Sequence, residues 1–179
     1  MMEHPFELVP FPAPGIPEVR ISGTIIRENN ILTVHYALSG KIDDIQFAAV
    51  NPQPFRRKGL WLETCFECFL ALPDHPHYWE FNFSPARDWD VFRMDAYRRI
   101  GFREEDLIQS PCVEISAEGD CFDLEAAIDL SPILTPETQI QAGVTAVLQT
   151  RRGQEIYWAL IHPRAQADFH ARESFILTV

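Results

Sequence analysis

The chain has 179 residues, of which 46% are hydrophobic and 23% charged. That is one ordinary globular domain's worth of chain, long enough to bury roughly 70% of its unfolded surface without disulfide or metal support. Fifteen basic against 26 acidic residues leave a formal charge of −11, which excludes the concentrated basic surface that nucleic acid or an anionic membrane requires. No apolar run reaches the ~20 residues of a membrane span.

The first seventeen residues hold Pro5, Pro10, Pro12, Pro14 and Pro17 but no basic start followed by an apolar stretch. They are expected to form an extended arm (residues 1–18) on a domain covering residues 19–179, with no secretory signal. Cys65, Cys68, Cys112 and Cys121 are then expected as reduced thiols of a cytoplasmic protein. Val19, Ile21 and Ile25 alternate with polar residues, Glu28-Asn29-Asn30 turns the chain, and Leu32, Val34, Tyr36 and Leu38 alternate again. This predicts a hairpin over 19–39, and Ile45–Val50 is a candidate third strand.

Trp61 to Leu72 is too densely apolar for one face and reads as a central strand buried on both sides. After the turn Pro73–His77, the segment Tyr78–Ser84 alternates strictly. Trp79, Phe81 and Phe83 point one way; Tyr78, Glu80, Asn82 and Ser84 point the other. Residues 87–100 fit both a helical stripe and a strand, and 103–108 read as one surface helical turn. A hairpin is expected over 113–128 around Glu118-Gly119-Asp120. Another should pair Val144, Ala146 and Leu148 with Ile156, Trp158 and Leu160, before a short last strand at Phe175–Val179. Short strands at this spacing, without βαβ alternation, predict an all-β antiparallel sandwich or barrel.

Cys65-x-x-Cys68 has the spacing of a zinc half-site or redox pair, but residues three apart on a strand face opposite ways, so structural thiols are expected. The polar pattern says more. Glu63, Cys65 and Glu67 share one face, and Glu80, Asn82 and Ser84 lie on the non-core face of the next strand. If the register sets Glu67 beside Glu80 or Asn82, the sheet carries a carboxylate–amide cluster beside Trp and Tyr. Carboxylates this close need cations between them, and Arg56, Arg57, Arg93 and Arg98 are the candidates. Such a face suits a polyhydroxylated ligand; a structural ion-pair network is the other reading. His162, Asp168 and His170 offer metal or acid–base chemistry, or simply hydrogen bonds that lock the last crossover. Catalysis by Glu67 and Glu80 is chemically possible, but nothing in their spacing requires it.

The run Leu60-Trp61-Leu62-Glu63-Thr64-Cys65-Phe66-Glu67-Cys68-Phe69-Leu70, then Tyr78-Trp79-Glu80-Phe81-Asn82-Phe83-Ser84-Pro85 and Trp89, resembles the DOMON-like superfamily. The resemblance is strongest to the branch related to family 9 carbohydrate-binding modules. Tyr157-Trp158-Ala159-Leu160, His162-Pro163 and Asp168-Phe169-His170 are similar to a bacterial subgroup of DOMON-like proteins. The resemblance implies a jelly-roll-like β-sandwich of about ten or eleven strands, with a strand over 87–98 and a pocket on one concave sheet. By position its site would draw on Trp61, Glu67, Glu80, Asn82 and Trp89, binding a sugar-like small molecule; the polar patterns add Glu63, Ser84, Arg93, Arg98, His162, Asp168 and His170 as candidate ligand-binding residues, and neither a cofactor nor a resident metal is expected. The carbohydrate-binding modules are secreted and joined to hydrolases, whereas this chain is expected to stand alone without an export signal. Fold likeness does not fix function. A scaffold domain therefore stands beside the sugar-binding reading, as does a haem- or metal-binding domain using Met94, His162 or His170.

Overall fold

The computed structural model describes residues 2–98 and 102–179. Among these residues twelve strands form one antiparallel sheet: β1 (Met2–Pro10), β2 (Val19–Glu28), β3 (Ile31–Gly40), β4 (Cys65–Ala71), β5 (Tyr78–Phe83), β6 (Trp89–Met94), β7 (Arg103–Glu104), β8 (Cys112–Glu118), β9 (Cys121–Asp129), β10 (Gln141–Gln149), β11 (Glu155–Ala159) and β12 (Leu177–Thr178). The spatial order is β7-β6-β5-β4-β10-β11-β1-β2-β3-β9-β8, with β12 also paired to β10. The path folds on itself as a β-sandwich. One layer runs from β1 to β8 and the other from β7 to β11, joined where Val9 and Pro10 of β1 pair with Ala159 and Trp158.

Alternation builds the core. Ile21 and Ile25 of β2, Leu32, Val34, Tyr36 and Leu38 of β3, and Phe122, Leu124, Ala126 and Ile128 of β9 face inward from the first layer. Phe66, Cys68 and Leu70 of β4, Trp79, Phe81 and Phe83 of β5, and Val144, Ala146 and Leu148 of β10 meet them from the second. Tyr36 crosses between the layers: its hydroxyl donates to the Glu67 carbonyl at 2.7 Å, and its ring lies 5.0 Å from that of Phe66. A residue of one layer thus fixes the β4 backbone of the other at Glu67.

The hairpins follow the expected register. Asn29, at φ 54°, turns β2 into β3, and Gly119, at φ 57°, turns β8 into β9. Residues 89–94 are a strand, so the alternating rather than the helical reading of this segment holds.

Four segments differ from expectation. Residues 2–10 are extended but form a full strand of the sheet rather than an arm lying on it. Along Met2–Leu8 this strand pairs only with β2, and on a strand with one free edge a proline that faces it removes no ladder bond. Ile45 makes one isolated bridge to Thr150, after a 3-10 turn at Ile42–Asp44, instead of starting a strand. Residues 60–62 are a 3-10 turn, so the strand expected from Trp61 begins at Cys65. Arg103 and Glu104 pair with Arg93 and Phe92 as β7, where a helical turn was expected.

Candidate functional site

Every residue of β4 and β5 is buried. A lone sandwich layer has one wet face, so something else covers the outer face of these strands. A second apolar cluster does this. Phe69, Ala71, Tyr78, Phe92 and Met94 of the sheet are capped by Phe175, with Trp61 and Phe169 packed alongside. Gly143 of β10 makes room for the cap: a Cβ there would stand 2.6 Å from the Phe175 ring. Gly143→Ala should therefore push Phe175 off Phe69 and Tyr78 at about 1–3 kcal/mol and loosen the segment that carries His170. A lowered Tm together with faster proteolysis after residue 163 would show it; an unchanged Tm would mean the ring re-seats freely.

Beside this cap the sheet face stays open as a cavity of about 370 Å³, within the size range of small-ligand sites. Its walls are Trp61, Phe92, Phe102, Tyr157 and Phe169, with Met94 and Val147 between them; its polar groups are Glu67, Glu80, Glu155, Arg98 and His170. Trp61 stands edge-on to Phe92 at 5.6 Å between ring centres. Leu62 and Phe102, 63% and 55% exposed, form an apolar lip.

The register places Glu67 opposite Asn82, and Glu80 one pair further along the same face. Glu67 and Glu80 are 3% and 7% exposed. Glu67 accepts a hydrogen bond from Thr145 at 3.2 Å, and Asn82 donates to Glu80 Oε1 at 2.8 Å. Burial pushes the Glu67 carboxyl well up, and the charge of Glu80 adds to the effect, against the Thr145 hydrogen bond. Burial pushes Glu80 up to about 7; the Asn82 hydrogen bond opposes this and the charge of Asp90 adds to it. The two acids therefore resist carrying charge together at neutral pH.

Tyr78 Oη and His170 Nδ1 lie 2.9 Å apart, and His170 Nε2 is 3.9 Å from Glu80 Oε2. With Tyr78 donating to Nδ1, the Nε2–H turns toward Glu80. Burial lowers His170 to about 4, with Arg98 adding to the effect and Asp168 opposing it, so the ring is neutral at ordinary pH. Asp168 orients this corner. It accepts from the Tyr97 hydroxyl, from Arg98 at 2.9 Å and from the His170 backbone N–H at 3.1 Å. Burial works against its charge, but the Tyr97 and Arg98 hydrogen bonds hold its pKa below the usual value.

The structure thus brings Trp61, Glu67, Glu80, Arg98 and His170 to one cavity, with Asn82 and Asp168 bonded directly behind them. The other expected residues lie elsewhere. Glu63 follows the 3-10 turn and pairs with Arg57 at 3.1 Å. Ser84 accepts from the Ala86 N–H in the β5–β6 turn. Trp89 shares the inward parity of Val91 and packs in the core beneath Arg56, whose guanidinium lies 4.9 Å from the ring centre. Arg93, of the same parity, lies over Trp79. His162 reaches the Val9 carbonyl and stacks edge-on to Phe11.

The expected interleaving of arginines fails as well. Arg56 takes Asp90, Arg57 takes Asp88 and Glu63, and Arg98 takes Asp168. None of these reaches Glu67 or Glu80. Cys65 and Cys68 face opposite sides, Cys65 toward Asn82 and Cys68 into the core. No group of three His, Cys, Asp or Glu side chains that could hold a metal occurs among the described residues.

Tyr157 and Phe92 belong to the cavity and were not among the expected site residues. Their strand parity, opposite to Ile156 and Trp158 and to Val91, was the available signal. Phe169 stands inside the Asp168-Phe169-His170 motif, which does not mark it as a wall. Phe102 carries no such signal.

The fold is similar to that of two solved structures. One is a Bacteroides uniformis protein described as a "putative carbohydrate-binding protein", with a TM-score of 0.65, 13% identity, and coverage of 96% of this chain and 84% of the other. Another is a family 9 carbohydrate-binding module from Caldicellulosiruptor kristjanssonii in complex with glucose, with a TM-score of 0.54, 13% identity, and coverage of 92% and 78%. At that identity the likeness is one of fold. No protein-family model matches the chain, and no curated protein matches it in sequence.

Proposed function

We propose that this protein binds a carbohydrate or similar polyhydroxylated small molecule in the cavity on the outer face of β4, β5, β6, β10 and β11. The observation that carries the reading is the meeting, in one cavity of about 370 Å³, of aromatic walls and nearly buried carboxylates. A sugar ring offers apolar C–H faces to aromatic rings and hydroxyls to carboxylates and imidazole, and this lining provides for both. The carbohydrate-binding structures that share the fold support the same reading. Trp61 is the wall for the ring, Glu67, Glu80, Arg98 and His170 take the hydroxyls, and Asn82 and Asp168 hold them in place.

Titration with a panel of mono- and disaccharides should quench tryptophan fluorescence, because Trp61 lines the cavity. Trp61→Ala should weaken binding by roughly 30-fold, the loss expected for a central aromatic anchor. A flat calorimetric response across the panel would overturn the reading, as would unchanged affinity in Trp61→Ala.

A further inference from the structure

Among the described residues, Glu67 and Glu80 have no cation of their own. Asp90, on the same outer face, is met by Arg56 at 3.2 Å, and Asp168 by Arg98 at 2.9 Å. Among the described residues no hydrogen bond reaches Glu67 Oε1 or Glu80 Oε2, although both side chains are more than nine-tenths buried and line the cavity. The nearest basic group is the neutral His170 ring, 3.9 Å from Glu80 Oε2.

The other titratable groups around the pair do not supply the missing charge. On the sheet these are Cys65, Tyr78 and Asp90, with Glu155 accepting from Tyr157 at 2.8 Å. From the covering segments come Arg98 and Asp168, which neutralise one another. Among the described residues the cavity therefore holds an acidic floor without countercharge under aromatic walls. A nearly buried carboxylate without a countercharge is costly to ionise, and a cation that enters offsets that cost. Aromatic faces favour the same charge.

Resting on the carbohydrate reading of this cavity, we propose that the pocket selects a ligand bearing a protonated amine, an amino sugar or comparable aminated polyol, with its ammonium seated between Glu67 and Glu80. Three N–H donors on one nitrogen match two carboxylates approached from one side. Both acids must ionise fully to receive it, so binding releases protons.

Isothermal titration of the whole chain with glucosamine, glucose and N-acetylglucosamine tests this. Glucosamine should bind about tenfold or more tighter than either neutral sugar at pH 7, the increment of a charge-assisted hydrogen bond. Its affinity should rise from pH 5 to pH 7, and its apparent heat should vary with the buffer's ionisation enthalpy as protons are released. Glu80→Gln keeps an acceptor for Asn82 and should abolish the preference for glucosamine; Glu67→Gln should do the same. Equal affinity for glucosamine and glucose, or a preference that survives both substitutions, overturns the proposal and leaves the carbohydrate reading standing. Failure of all three sugars and of the wider panel overturns both.

Discussion

Gly23→Ala is expected to cost about 3 kcal/mol or more, although it adds one methyl group to a strand. Gly23 pairs with Phe6 on one side and Tyr36 on the other, and those two rings meet edge to face at 5.7 Å. A Cβ on Gly23 would stand 1.8 Å from the His35 carbonyl oxygen and 2.7 Å from the tip of the Phe6 ring. The first obstacle is backbone, which cannot swing aside, and the second is a buried ring. The displacement also bears on Tyr36, whose hydroxyl holds the β4 backbone at Glu67. A chain this long should lose roughly 6–12 °C of Tm for such a change, along with part of its ligand affinity. Gly119→Asn is the control. Nothing lies within 4 Å of that position, and Asn tolerates its φ of +57°. A Tm within about 2 °C of the parent chain in Gly23→Ala would show that β2 and β3 part at little cost.

Gly23 also marks where sequence reading stops. The alternation of Ile21 and Ile25 locates the strand and its buried face, yet a glycine between them only says that something comes close. Periodicity gave the hairpins, the opposed faces of Cys65 and Cys68, and the outward turn of Glu80 and Asn82, because each depends on the two-residue period alone. It failed where tertiary pairing outweighs local preference. The prolines of β1 read as breakers until the strand's free edge is known, and Arg103-Glu104 reads as a helical turn until β6 offers it an edge. At the site, strand-borne Glu67 and Glu80 were legible. The Trp61 wall was placed by resemblance to a motif. The same resemblance puts Trp89 at the site, although its parity with Val91 points inward. Which arginine meets which acid is a matter of loop geometry, and no spacing encodes it.

The unpaired acids should be visible in stability as well as binding. A carboxyl whose folded pKa lies above its unfolded value gives its full contribution to stability below the unfolded pKa, and loses it as pH rises through the folded one. For Glu80 that window runs from 4.5 to about 7, and the loss is on the order of 3 kcal/mol. Glu67, pushed up by burial and by Glu80, adds in the same direction. Glu80→Gln removes the titration, keeps an acceptor for Asn82 and relieves Glu67. It should therefore match the parent chain near pH 4.5 and exceed it at pH 8 by roughly 5–10 °C in Tm. Acids with lowered values, such as Asp168, lose their contribution as pH falls instead, and they cancel in the difference between the two proteins. A Tm gain that does not depend on pH would assign the effect to packing. No gain at pH 8 would mean that the pair is already compensated. The two expectations for this one substitution also constrain each other. A variant that is more stable yet no longer prefers glucosamine cannot have lost its ligand by misfolding. Its charge would then be kept at the floor of the cavity at the expense of the fold, as expected of a binding group.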